Sequence, residues 1–246
     1  PLTTSAHERF AERTGHAILE RYGMTETGMN TSNPYRGGPR KPGTVGTPIP
    51  GVEVRVVARP AGGEADGGEP GDGADRAELP RGEVGSVEVR GPNVFAGYWR
   101  MPEKTASEFR DDGFFVTGDV GHLDEDGYLC LVGRDKDMII SGGLNVYPKE
   151  IEEVLDAHAD VDESAVVGVP HPDLGETPVA FVVPAAGRTV DPADLASTVA
   201  GVLARFKHPR GYEAVDELPR NVMGKVQKAR LREIAAELYS AEADSP

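Results

Sequence analysis

Cysteine is almost absent from this 246-residue chain; the single one, Cys130, sits in the run Tyr-Leu-Cys-Leu-Val. One thiol excludes an internal disulfide framework and suits a reducing compartment, and its apolar neighbours read as those of a buried structural thiol rather than a nucleophile. Positive charge is also scarce: 26 Lys and Arg stand against 41 Asp and Glu, a formal net charge of −15. Such a chain repels nucleic acid and anionic membrane surfaces, although a local basic pocket for a phosphorylated ligand remains compatible with it. No stretch approaches the roughly 18 apolar residues of a helical membrane span, and the N-terminal "PLTTSAHERF" has no apolar signal-peptide core. These absences predict a soluble cytoplasmic protein. A starting methionine is missing too, and a helix-like stretch begins at once, so a piece of something longer is expected.

Along the chain, a short apolar run at 17–19 leads into "ERYGMTETG", the composition of a strand end turning into a polar loop. The β-branched segments 51–57, 84–91 and 127–133, separated by Gly and Pro, predict short antiparallel strands. Between the first two lies a stretch rich in Gly, Asp, Glu and Ala, 58–83, which buries too little apolar surface to offset its ordering entropy and is expected to be a flexible loop. "DEDG" at 124–127 lacks the closing glutamate of a calcium loop and reads as a hairpin turn. From Pro148 the pattern changes, with Ile151, Val154 and Leu155 at helical spacing behind an acidic first turn. "SAVVGV" and "VAFVV" are strand-like, Leu195, Val199, Val202, Leu203 and Phe206 form a helical stripe, and a last helix carries Leu231, Ile234, Ala235 and Leu238. Helices alternating with strands predict a compact α/β unit over 136–246, distinct from a β-rich part over 1–135, with the boundary near Lys136.

Four polar stretches are read as loops that could carry chemistry: "YGMTETG", "TGD" at 117–119, "GRDKDMIISGG" at 133–143 and "PRNVMGK" at 219–225. Singly, each has a plain reading as a cap, a tight turn, a solvated charge run or a loop tip. The Gly-Lys pair at 224–225 does not make a P-loop, because Pro219 and Val226 stand where that motif needs Gly and Ser or Thr. His122, His171 and His208 lack partners at zinc spacing and read as structural or exposed. Tyr98 and Trp99 read as packing residues between the β-rich part and a short helix.

Taken together and in order, the four stretches resemble the adenylate-forming family, the AMP-forming acyl-CoA synthetases and their relatives, from Pro1 to about Leu238. The longer matches "RYGMTETGMNTSNP", "GPNVFAGYWRMPEKTASEF", "DGFFVTGD" and "LPRNVMGKVQK" look most like malonyl-CoA synthetases. The fold this implies is α/β with α+β character. It comprises the C-terminal part of the large AMP-binding domain with a small β-barrel subdomain, then a compact mobile α/β domain.

The resemblance also implies an ATP-dependent ligase that activates malonate, or methylmalonate, as an acyl-adenylate and transfers it to coenzyme A, with Mg²⁺ as cofactor and AMP as product. Lys225 matches the catalytic lysine, Thr25 the hydroxyl at the α-phosphate and Glu26 the magnesium ligand. Tyr22 matches the ring beside the adenine, Asp119 the carboxylate that accepts the ribose hydroxyls, and Arg134 the arginine that touches the ribose. Lys136 matches the hinge between domains, Gly142 and Gly143 the glycines along the pantetheine path, and Gly28 and Met29 the start of the acyl pocket. The upstream phosphate loop and acid-binding region of the family have no counterpart in these residues, so the N-terminal half of the same polypeptide is expected as a partner and this chain alone is expected not to adenylate. Two other readings remain open: a ligase for another short or medium acid or for a carrier-protein thiol, and a non-catalytic nucleotide-binding module.

Overall fold

The computed structural model describes residue 2 and residues 4–59 and 77–240. Most of the stretch expected to be flexible, 60–76, lies outside the described residues. Its C-terminal flank is built into the fold: Glu78 bridges Val57, and Leu79 packs against the core below it. The chain divides into two compact units between Lys136 and Asp137.

The first unit opens with α1 (Thr4–Thr14), followed by β1 (Arg21–Met24), β2 (Gly28–Ser32) and β3 (Thr47–Pro48), which form a three-stranded antiparallel sheet. Next come β4 (Glu53–Val57), β5 (Gly85–Arg90), α2 (Pro102–Glu108), β6 (Phe115–Leu123) and β7 (Leu129–Arg134), whose strands pair in that order in an antiparallel sheet. Strand alternation explains its core, since Val54 and Val56 face Val89 and Val87 across the β4–β5 ladder and pack with Tyr22, Val45 and Leu129. The intervening Glu88 is fully buried, and its charge is matched by Arg55 Nε at 2.7 Å and Arg110 Nε at 2.8 Å. The turn at 124–127 joins β6 to β7, with Gly127 N–H donating to the Asp124 carbonyl.

Strand β6 differs from the sequence reading, because "TGD" is an interior part of a nine-residue strand and not a loop. The ladder to β5 shifts register between Ser86 and Glu88, opposite these residues, and Gly118 has φ +69°. Thr117 stitches the irregularity by donating its hydroxyl to the Val87 carbonyl at 2.7 Å and accepting from Asp119 N–H at 3.1 Å. A Thr-Gly-Asp triplet carries turn chemistry that a bulge satisfies equally well.

The second unit contains β8 (Ile139–Ser141), β9 (Leu144–Val146), α3 (Pro148–Asp156), β10 (Val161–His171), β11 (Gly175–Pro184), α4 (Pro192–Val202), β12 (Gly211–Ala214) and α5 (Lys228–Ser240). Its sheet runs β10-β11-β8-β9, with β12 parallel to β11. Helices cover both faces, which is why "AVVGV" and "VAFVV" read as unbroken apolar runs. On one face Val166, Ala180 and Val182 meet Ile151 and Leu155 of α3 and Leu195 and Val199 of α4. On the other, Ala165, Val167, Val179 and Phe181 meet Leu231 and Ala235 of α5. Helix α4 begins where Asp191 accepts from Ala193 N–H at 2.9 Å. It stops at Val202 instead of continuing through Phe206: Leu203 is extended, and His208 Nε2 donates to the Leu203 carbonyl at 2.9 Å. Among the described residues no helix is long and apolar enough to cross a membrane.

Candidate functional site

The first unit contains a pocket of about 430 Å³ whose wall includes Glu26, Tyr98, Lys104, Gly118, Arg134 and Lys136. The β1–β2 turn brings Glu26 there, and the segment after β5 clasps that turn. Phe95 N–H donates to the Glu26 carbonyl at 2.8 Å, while the Asn93 amide donates to the carbonyls of Thr27 at 2.7 Å and Met29 at 3.0 Å. The half-buried Glu26 carboxylate makes no salt bridge among the described residues; the Tyr98 hydroxyl lies 3.4 Å from its Oε1. Burial and the neighbouring Glu26 charge push the Tyr98 phenol up to about 12, so it stays a donor at neutral pH.

Beside this wall the antiparallel register places Asp119 of β6 opposite Arg134 of β7. Arg134 Nε donates to Asp119 Oδ1 at 2.8 Å, and the Tyr22 hydroxyl donates to Oδ2. Asp119 is 5% exposed. Burial raises its pKa above the ordinary carboxylate range, against the opposing pull of the Tyr22 hydrogen bond and the Arg134 charge. The Tyr22 phenol is pushed far up, first by burial and then by the charge of Asp119. Tyr22 is 7% exposed, in the core with Val56 and Val87, and meets the site through its hydroxyl.

Of the other residues singled out in this unit, Thr25 is exposed on the same turn as Glu26, and Lys136 is the last residue of the unit and part of the pocket wall. Gly28 and Met29 are exposed on β2, outside that wall. Trp99 does not pack as expected; it is 84% exposed. Sequence reasoning gave no role to Lys104, whose ammonium sits 4.3 Å from the centre of the Tyr98 ring. The only sequence signal for it is the first turn of a short helix behind Pro102.

In the second unit, Gly142 and Gly143 form the β8–β9 turn with φ +57° and +79°. Their backbone conformation already calls for glycine, apart from any ligand path. Lys225 is exposed in a hairpin closed by an Arg220–Val226 bridge, and Gly224 before it has φ +76°. Elsewhere in this unit His158, Asp160 and Asp194 could hold a metal ion by proximity. Their groups are engaged, however: His158 Nδ1 accepts from Asp160 N–H, Nε2 lies 3.3 Å from Asp194, and Arg188 pairs with Asp160.

Two family models match the chain, that of the AMP-binding enzyme over residues 1–99 and that of the AMP-binding enzyme C-terminal domain over residues 150–225. A mitochondrial malonate–CoA ligase of Bos taurus is 40% identical, with 97% of this chain and 41% of the relative covered. A long-chain-fatty-acid–CoA ligase of Bacillus subtilis is 37% identical, with 94% and 39% covered. Among solved structures, ATP-bound MatB from Rhodopseudomonas palustris is 54% identical with a TM-score of 0.87, covering 97% of this chain and 44% of that one. The chain thus spans about two fifths of the length of these curated relatives.

Proposed function

The chain belongs to the AMP-binding enzyme family, and from that premise we propose that it is the C-terminal portion of an AMP-forming acid–thiol ligase, which activates a carboxylic acid with ATP and passes the acyl group to coenzyme A. The observation that carries this reading is the buried Asp119 carboxylate, held by Tyr22 and Arg134 beside a pocket that also bears Glu26. Among the described residues each oxygen has one protein donor, which leaves a lone pair on each for a ribose hydroxyl.

A carboxylate is unreactive toward a thiol. In the proposed reaction it attacks the α-phosphorus of ATP, the bond to pyrophosphate breaks, and the thiol of coenzyme A then attacks the acyl carbon and expels AMP. Lys225 supplies positive charge between the acid and the α-phosphate in the first step, and Thr25 donates its hydroxyl to the same phosphate. Arg134 fixes Asp119 and contacts the ribose, Lys136 is the hinge, and Gly142 and Gly143 border the pantetheine path. Glu26 fits a magnesium ligand, being a carboxylate in the pocket wall without a cationic partner among the described residues. One protein carboxylate suits Mg²⁺, which keeps water and phosphate oxygens as its other ligands. When bound, the ion neutralises phosphate charge.

For the acid we infer malonate, with methylmalonate as its near variant, supported by the longer sequence matches and the malonate–CoA ligase relative. Gly28 and Met29 then begin the acyl pocket. Of the basic residues that follow in sequence, Arg36 is exposed, whereas Arg40 and Lys41 are committed to the fold: Arg40 donates to the carbonyls of Ala17 at 2.7 Å and Pro34 at 3.2 Å, and Lys41 bridges Asp124 and Asp126. The reading includes an upstream half of the same polypeptide that supplies the phosphate loop and the rest of the acid site. The fatty-acid ligase relative makes a longer acid the competing reading.

Hydroxylamine trapping of acyl-adenylate tests this, with ATP, Mg²⁺ and, separately, malonate, methylmalonate, acetate and a long fatty acid. The full-length enzyme is expected to give a malonate-dependent hydroxamate, and this chain alone none. A signal with the fatty acid and none with malonate would reassign the substrate, and silence with every acid would remove the ligase reading.

A further inference from the structure

Lys225 has an exposed side chain, yet three of the four polar groups in the two peptides that flank it are hydrogen-bonded. Asn221 does most of this. Its side-chain Oδ1 accepts from Lys225 N–H at 3.0 Å and from Met223 N–H at 3.0 Å, while its own backbone N–H donates to the Lys225 carbonyl at 2.9 Å. Its carbonyl accepts from Gly224 N–H at 2.9 Å. The third group, the Gly224 carbonyl, accepts from Arg220 Nη1 at 2.7 Å, and the other end of that guanidinium pairs with Glu163 on β10. Gln227 N–H closes the base on the Pro219 carbonyl at 2.7 Å.

Two features separate this from an ordinary turn. A hairpin whose purpose is to connect elements needs its base and one turn bond, and the Arg220–Val226 bridge with Gly224 N–H supplies both. Two of the added bonds, from Lys225 N–H to Asn221 Oδ1 and from Arg220 to the Gly224 carbonyl, converge on the one peptide group that leads into Lys225, and the third holds Met223 N–H. The tip residues Val222 and Met223, by contrast, are 106% and 76% exposed, so the loop is organised around its lysine and not around its apolar tip. Glu163 gives the arrangement a fixed reference, because β10 is paired along its length with β11 and carries core residues on both faces.

We propose that Asn221, Arg220 and Glu163 are positioning residues that hold the Lys225 backbone in one orientation, so that its flexible stem delivers charge to one place in the adenylation step. This rests on the reading of Lys225 as the lysine of that step. Positioning matters because charge stabilisation works when the group is already in place, and a displacement of about 1 Å can cost a hundredfold.

The test uses the full-length enzyme and measures the two half-reactions separately, adenylation as acid-dependent exchange of pyrophosphate into ATP, and thiolation from supplied acyl-adenylate and coenzyme A. Asn221→Ala and Arg220→Met are expected to lower kcat of adenylation about 10- to 100-fold, with KM for ATP and the thiolation rate changed less than about threefold. Asn221→Asp, which keeps an acceptor oxygen for the two N–H groups, is expected to recover most of the loss, and Glu163→Gln to lie between it and Arg220→Met. Lys225→Ala is the reference. If it loses adenylation while Asn221→Ala and Arg220→Met keep the wild-type rate, or if these two lose both half-reactions equally, the positioning proposal is overturned and the reading of Lys225 stands. If Lys225→Ala adenylates at full rate, the reading of Lys225 falls, and the proposal with it.

Discussion

Replacing Tyr22 with Phe removes one oxygen and leaves the ring in its core position with Val45, Val56 and Leu129. What is lost is the hydrogen bond from the phenol to Asp119 Oδ2, inside a site where Asp119 is 5% exposed. A hydrogen bond to a charged group contributes about 1.5–3 kcal/mol net, and this one favours the ionised carboxylate, so its loss should raise the Asp119 pKa further. The sign follows from the direction already present. Asp119 has a folded-state pKa above its unfolded value, so its folded state binds the proton more tightly. Its contribution to stability is therefore fully present below the unfolded value, about pH 4, and is lost as pH rises through the folded value. Tyr22→Phe extends that loss to higher pH. Urea unfolding should show the variant close to wild type in acid and about 1.5–3 kcal/mol less stable at neutral pH. In the full-length enzyme, the acid limb of kcat/KM for ATP should move to higher pH, since a protonated Asp119 accepts ribose hydroxyls less well. An unchanged acid limb together with a pH-independent stability difference would refute the coupling of Tyr22 to Asp119.

Glu26→Gln removes the carboxylate assigned to Mg²⁺ while keeping its shape, so the Mg²⁺ concentration for half-maximal adenylation should rise severalfold; an unchanged requirement would remove Glu26 from the metal. Glu88→Ala removes the buried carboxylate that Arg55 and Arg110 share, although Arg55 keeps Asp112, and should cost about 3 kcal/mol in urea unfolding. Gly143→Ala meets no atom within 4 Å and is strained by its φ of +79° alone, a cost of about 1–2 kcal/mol. A fall in thiolation with adenylation preserved would support the pantetheine path, and an equal fall in both would reduce Gly143 to a turn residue. Leu231→Ala empties a buried position under α5 and should cost about 2–5 kcal/mol, visible as a lower urea midpoint.

Where one local period set the structure, the sequence was legible. Pro148 and the Ile151, Val154 and Leu155 spacing start α3 where expected, and the apolar runs of β10 and β11 are strands because both faces are covered. The valines of β4 and β5 likewise gave their strands away. Legibility failed where pairing overrode local composition. "TGD" has the chemistry of a turn and becomes strand because β5 and β7 flank it; "GYEA" has no apolar run and becomes β12 because β11 offers a parallel edge. The charged stretch from Gly133 hid the β8–β9 hairpin in the same way. Site residues could be named one by one from their motifs, but their connections could not. The Asp119–Arg134 pair depends on cross-strand register, the buried position of Tyr22 on the meeting of two sheets, and the bracing of Lys225 on an asparagine whose amide is spent on its own loop.

The irregularity in β6 bears on how this chain can vary. Side-chain direction along a strand has period two, so a deletion or insertion of one residue between Thr117 and Asp119 would turn every following side chain of β6 to the other face until a new irregularity absorbed the change. Asp119 would then leave Arg134 and Tyr22 together. Substitutions around the pocket can change one contact at a time, whereas a change of length here would change all of them at once. Diversity introduced at this site is therefore best sought in residue identity with chain length held constant through β6, and insertions belong outside that strand.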